Sequence, residues 1–118
     1  MQKLIFIVDD SDANLTIAAS ALENEYRVLT MLSAQKMFAL LEKKRPDLIL
    51  LDIEMPQMSG FEAIAVLKEN PELQSIPVVF ATSWTDEKTT VEAEKWGAPI
   101  MQKPIVPSIL LNYVKKYI

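Results

Sequence analysis

The stretch PDLILLDIEMPQMSGFE, residues 46–62, decides the fold. Pro46 ends whatever helix precedes it, because a proline disfavours helical geometry in the residue before it. Leu48, Ile49, Leu50 and Leu51 then run apolar without alternation, as a strand buried on both faces of a parallel sheet does. Asp52 stops that run, Met55 and Pro56 follow in a turn, and residues from Phe61 onward read as a helix. A buried strand, an acid, a loop and a helix make one β–α step.

Outward from this segment the same step recurs. Strands are expected over Leu4–Val8, Tyr26–Met31, Asp47–Leu51, Ile76–Ala81 and Pro99–Gln102. Helices are expected over Asp12–Glu25, Ala34–Lys44, Phe61–Asn70, Asp86–Trp96 and Ser108–Ile118. LIFIV at 4–8 and IPVVFA at 76–81 are as continuously apolar as the third strand. Ser11 suits a helix N-cap, and Pro71 and Pro77 bracket the turn into the fourth strand. Gly97 sits one residue past the fourth helix, where a left-handed residue is wanted. The chain has only two glycines, which leaves no glycine-rich phosphate loop. Strict alternation implies right-handed crossovers and a three-layer α/β/α sandwich around a five-stranded parallel sheet. With 118 residues, half of them apolar, and no linker or repeat, residues 1–118 read as one domain.

Composition removes whole classes of function. There is no histidine and no cysteine. That excludes Ser–His–Asp and Cys–His nucleophilic sites, disulfides, and thiolate or imidazole metal sites. The chain also cannot form a phosphohistidine itself. A net charge of −4, with no basic run beyond Lys43, Lys44 and Arg45, argues against direct nucleic-acid binding. No leader-like or membrane-spanning run is present, so a cytoplasmic domain off the membrane is expected.

The polar residues collect where the strands end. Asp9 and Asp10 follow the first strand, Asp52 the third, Thr82 and Ser83 close the fourth, and Lys103 follows the fifth. In an open parallel sheet ligands bind outside the carboxyl ends of the strands. Singly, each residue reads as a turn former, a cap or a solvated lysine; their coincidence at one rim does not. Three crowded carboxylates repel unless a proton, a cation or an ammonium relieves them. An all-oxygen site favours Mg²⁺ or Mn²⁺. It also suits phosphoryl transfer, with a carboxylate as nucleophile and an aspartyl phosphate as product.

IFIVDDS at 5–11, PDLILLDIEMPQMSGFE at 46–62, IPVVFATS at 76–83, WGA at 96–98 and KP at 103–104 together resemble the receiver domain of two-component response regulators, over the whole chain. The resemblance implies a flavodoxin-like receiver with strand order 2-1-3-4-5, an order which general accounts of the fold illustrate with a receiver. It implies a signalling domain, not an enzyme with a separate substrate, which takes a phosphoryl group from a sensor histidine kinase or phosphotransfer protein. By the same resemblance Asp52 matches the phosphoacceptor, Asp10 a direct metal ligand and Asp9 a ligand acting through water. Glu54 matches the position whose backbone carbonyl joins the metal. Thr82 matches the switch hydroxyl, and Lys103 the phosphate-binding lysine, joined to Pro104 by a cis peptide.

Some residues depart from the family pattern. Ile100 stands where a switching tyrosine or phenylalanine is usual, and the segment from Gly97 to Lys103 looks one residue short. Glu54 and Trp84 fill two variable positions that flank the phosphoacceptor and tune water access. On the last helix Ile109, Leu110, Tyr113, Val114 and Tyr117 recur at helical spacing. Core packing accounts for that spacing most simply, with a homodimer face as its other use.

Three alternatives stand beside the receiver reading. One is a receiver-like docking or dimerisation module that does not cycle phosphate, although no acid, hydroxyl or lysine is lost. Another is a phosphatase of the haloacid-dehalogenase type, which needs a DxD after its first strand; here that strand ends Asp9-Asp10-Ser11. The third is a receiver belonging to a larger regulator, and DDSDANL with the ending KPIVPSILLNYVKKYI is similar to receivers joined to cyclic-di-GMP enzymes.

Overall fold

The computed structural model describes residues 2–83 and 86–118, and Trp84 lies outside them. Strands β1 (Leu4–Val8), β2 (Arg27–Met31), β3 (Leu48–Asp52), β4 (Val78–Thr82) and β5 (Ile100–Gln102) alternate with five helices. These are α1 (Asp12–Leu22), α2 (Ala34–Leu41), α3 (Gly60–Glu69), α4 (Glu87–Lys95) and α5 (Pro107–Tyr117). Every strand pair is parallel, and the order is β2-β1-β3-β4-β5. The expected layers and strand order are therefore both present.

The unbroken apolar runs have a simple cause. Along β1, Leu4, Phe6 and Val8 enter one core while Ile5 and Ile7 enter the other. β3 divides Ile49 and Leu51 from Leu48 and Leu50, and β4 divides Val78 and Phe80 from Val79 and Ala81. The first core also holds Met37, Ile64 and Leu67 of α2 and α3; the second holds Leu15 of α1 and Leu110 and Val114 of α5. A strand with period two and an apolar layer on each side needs an apolar residue at every position. Fully burying each large side chain stabilises by about 1.5–3 kcal/mol.

On α5 the apolar repeat splits. Leu110 and Val114 are buried, whereas Ile109 is 48% and Tyr117 43% exposed. No helix among the described residues is long and apolar enough to cross a membrane.

β1 has its expected bounds, and β2 and β5 end where expected; other elements end one to three residues away. α1 closes at Leu22, because the N–H groups of Glu25 and Tyr26 both fold back onto the Leu22 carbonyl. α2 closes at Leu41, whose carbonyl accepts from the Arg45 guanidinium, a basic group capping a helix C-terminus. Asp52 and Thr82 are the last rungs of their strands instead of the first loop residues. Their alignment follows the ladder, in which Asp52 pairs with Ala81 and Thr82 with Gln102.

Ser11 caps α1 by accepting from the Asn14 N–H, as expected. α3 starts with a reciprocal capping box. The Ser59 hydroxyl accepts from the Glu62 N–H at 3.1 Å, and the Glu62 carboxylate accepts from the Ser59 N–H at 2.9 Å. This places Gly60 directly against β3. Its N–H donates to the Ile53 carbonyl at 3.0 Å. A Cβ there would stand 2.5 Å from the Asp52 carbonyl oxygen and 2.9 Å from Ile53 Cα. Gly97 differs, with φ +67° and open space around it, and it ends α4 as anticipated.

Candidate functional site

At the carboxyl edge of the sheet the ladder delivers four of the expected side chains to one spot. Lys103 Nζ lies 2.9 Å from Asp9 Oδ2 and 3.0 Å from Asp52 Oδ1. Carboxylate oxygens of Asp9, Asp10 and Asp52 lie within 4.8 Å of one another. Asp52 is 1% and Asp9 3% exposed, while Asp10 is exposed. The local backbone holds this geometry. Asp9 Oδ1 accepts the Ser11 N–H at 2.9 Å, and Asp52 Oδ1 accepts the Glu54 N–H at 3.2 Å. Lys103 is positioned by its own N–H, which donates to the Thr82 carbonyl at 2.8 Å, and is followed by a cis peptide to Pro104.

Electrostatics follow from burial and neighbours. Burial pushes the Asp52 carboxyl up to about 6, and the Asp9 carboxylate adds to the rise; Lys103 and the Glu54 N–H act against it. For Lys103, burial alone would favour the neutral amine. The hydrogen bonds and charges of Asp9 and Asp52 outweigh burial and raise its pKa above the ordinary lysine value. At neutral pH the pocket thus holds an ionised but basic Asp52 and a charged lysine. Three carboxylates against one ammonium leave an excess of negative charge. Their donors are all oxygen, so the residues fit a hard divalent cation.

Thr82 takes a different partner from the one its position suggests. Its side chain is fully buried, and Oγ1 donates to Glu54 Oε1 at 2.8 Å. The same Glu54 oxygen accepts from Ser83 Oγ at 3.1 Å and from the Ser83 N–H at 3.3 Å. Sequence reasoning noticed Glu54 for its backbone carbonyl and missed this use of its side chain. The sequence carried one signal for it, a long acid two residues beyond Asp52 facing a Thr-Ser pair on the neighbouring strand. Ile100 is half-buried beside the first core, and its carbonyl accepts from Tyr113 Oη at 3.3 Å. A groove of about 390 Å³ opens beside it between α4 and β5.

Known proteins resemble this chain in sequence and fold. A family model described as the response regulator receiver domain matches residues 5–115. A probable cyclic di-GMP phosphodiesterase of Vibrio cholerae serotype O1 is 40% identical over 96 residues, covering 81% of this chain. The chain spans only 21% of that relative's length. The polar-differentiation response regulator DivK of Brucella anthropi is 29% identical over 120 residues, covering 100% of this chain and 98% of the relative. Among solved structures, the Vibrio cholerae chemotaxis protein CheY4 has a TM-score of 0.93 at 26% identity, with each chain covered in full. The Mn²⁺-bound form of response regulator Rcp1 has a TM-score of 0.81 at 26% identity, covering 97% of this chain and 90% of that one.

Proposed function

This chain belongs to the response regulator receiver family, a family of signalling domains, and on that premise we propose that Asp52 is its phosphoacceptor. The observation that carries this assignment is the buried Asp52 carboxylate, held 3.0 Å from Lys103 and crowded by Asp9 and Asp10. With its pKa near 6, Asp52 is ionised at neutral pH and remains basic enough to attack phosphorus.

The donor lies outside these 118 residues, which hold no histidine. A phosphohistidine on a sensor kinase or phosphotransfer protein suits this chemistry. An Asp52 oxygen forms the new O–P bond as the donor's P–N bond breaks, and the imidazole leaves with the bonding electron pair. Lys103 stays charged and exchanges part of its pairing with Asp52 for a phosphoryl oxygen. The Thr82 hydroxyl donates to another oxygen, as a charge-assisted hydrogen bond favours. Asp9, Asp10, Asp52 and the Glu54 backbone carbonyl would hold Mg²⁺, which neutralises charge on the transferred group; the Mn²⁺-bound relative supports a divalent ion here. A cytoplasmic setting agrees with a kinase as donor.

A docking module without phosphate chemistry is not favoured, since the acids, hydroxyl and lysine are all present at one rim. The likeness to the Vibrio phosphodiesterase supports a link to cyclic di-GMP turnover as one output of the signal.

The assignment is tested with acetyl phosphate and Mg²⁺, read by intact mass. One phosphoryl group per chain is expected, and none in Asp52→Asn. Labelling that survives this substitution overturns the assignment.

A further inference from the structure

The Glu54 carboxylate already occupies donors that a phosphoryl group on Asp52 would need. One oxygen of it collects the Thr82 hydroxyl, the Ser83 hydroxyl and the Ser83 N–H, all within 3.3 Å. Thr82 Oγ1 carries one proton, so it donates to one strong acceptor at a time. Glu54 is tied to the acceptor as well, because its N–H donates to Asp52 Oδ1. A single residue therefore touches the phosphoacceptor through its backbone and the switch hydroxyl through its side chain.

We infer that Glu54 is a positioning residue, an internal anion that latches Thr82 and Ser83 and must release them when Asp52 is phosphorylated. This rests on the assignment of Asp52 as phosphoacceptor. Before transfer, Thr82 is held by a carboxylate two residues along from Asp52. After transfer, a phosphoryl oxygen offers a competing charged acceptor, and like charges repel the Glu54 side chain outward. The exchange frees the Ser83 hydroxyl and N–H together with it. Conformational change then leaves the site through Thr82 at the end of β4 and through Ser83. The latch makes the unphosphorylated arrangement a bound state in its own right, so Glu54 sets how readily the domain activates.

The test uses the whole chain, with beryllofluoride and Mg²⁺ as the phosphoryl probe. Glu54 is only half-buried, so its substitution should leave the fold intact, checked by thermal melting. Glu54→Ala removes the acceptor and should tighten beryllofluoride binding about tenfold, as expected for losing one charge-assisted competitor. Glu54→Gln keeps a carbonyl oxygen within reach and should fall between Ala and the parent. Glu54→Asp keeps the charge on a shorter arm and should behave like Ala. Without any probe, amide exchange at Ser83 should quicken in Ala and Asp but not in Gln.

Parent-like affinity in Glu54→Ala would overturn the latch, provided Asp52→Asn abolishes the adduct. So would Asp behaving as the parent while Gln behaves as Ala, since charge alone would then act. An adduct persisting in Asp52→Asn would instead overturn the phosphoacceptor assignment. The latch is then judged by Ser83 exchange, and unchanged exchange in Glu54→Ala overturns it.

Discussion

The centre of the sheet and its β5 edge are built to different standards. β1, β3 and β4 each bury all five residues, whereas β5 pairs over three, with Ile100 half-buried and Gln102 exposed. The acids stand on or just beyond β1 and β3, held by strand neighbours on both sides. The lysine that pairs with Asp9 and Asp52 arrives from the short edge. Half of the site is thus fixed by the core, and the other half is supplied by an element with little holding it. A signalling site gains from that division, because a charge change at the fixed half can move the loosely held half.

The comparison can be pressed first through packing. Phe80 of β4 is fully buried and meets Phe61 edge-on at 5.1 Å between ring centroids. Phe80→Ala should cost about 3–5 kcal/mol in denaturant unfolding. Ile100→Ala on β5 should cost only about 1–2 kcal/mol, because much of its surface is already wet. Equal losses would erase the distinction between centre and edge.

The second probe is pH, with chelator present. Asp52 has a pKa of about 6 in the folded chain against 3.8 as the ordinary value. The folded state therefore holds this proton more tightly than the unfolded state does. Its contribution to stability is fully present below pH 4 and is lost as pH rises through 6, by at most about 3 kcal/mol. Asp52→Asn removes the loss, so its stability advantage over the parent should grow between pH 4 and pH 7. A constant difference across that range would show that the centre of the site tolerates the charge without strain.

The third probe is the metal. At an Mg²⁺ concentration a hundred times the dissociation constant, the gain should be about 2.7 kcal/mol. Asp10→Ala should remove that response while changing metal-free stability little, since Asp10 is exposed. A melting temperature indifferent to Mg²⁺ in the parent would remove the cation from the site.

Much of this was legible from residues alone, for reasons that also mark where legibility stops. Apolar runs such as LILL report burial on both faces, and burial on both faces fixes the layers. Side chains at strand ends report the rim, because parallel strands all point one way. The adjacent pair Asp9 and Asp10 was harder to divide. The resemblance gives Asp10 the direct role toward a metal, while the structure has Asp9 buried on Lys103 and Asp10 exposed. Past the end of a strand the backbone no longer alternates, so spacing cannot say which acid turns inward. The side-chain role of Glu54 was only faintly signalled, for a related reason. Its contact with Thr82 spans 28 positions in sequence and depends on the direction a flexible arm takes across two strands. The Ser59–Glu62 box, by contrast, was written in the sequence as S-x-x-E and was passed over.

The two glycines place different limits on how this scaffold drifts or is redesigned. At position 97 the restriction is conformational and graded. Asparagine tolerates φ +67° better than most residues, so a lineage could leave glycine in one modest step. At position 60 the restriction is collision with backbone, and no side chain is small enough to be an intermediate. Any substitution there lifts the start of α3 or displaces the Asp52 carbonyl. The neutral path around position 60 is therefore closed, and a library built on this chain should hold that codon fixed while varying its neighbours.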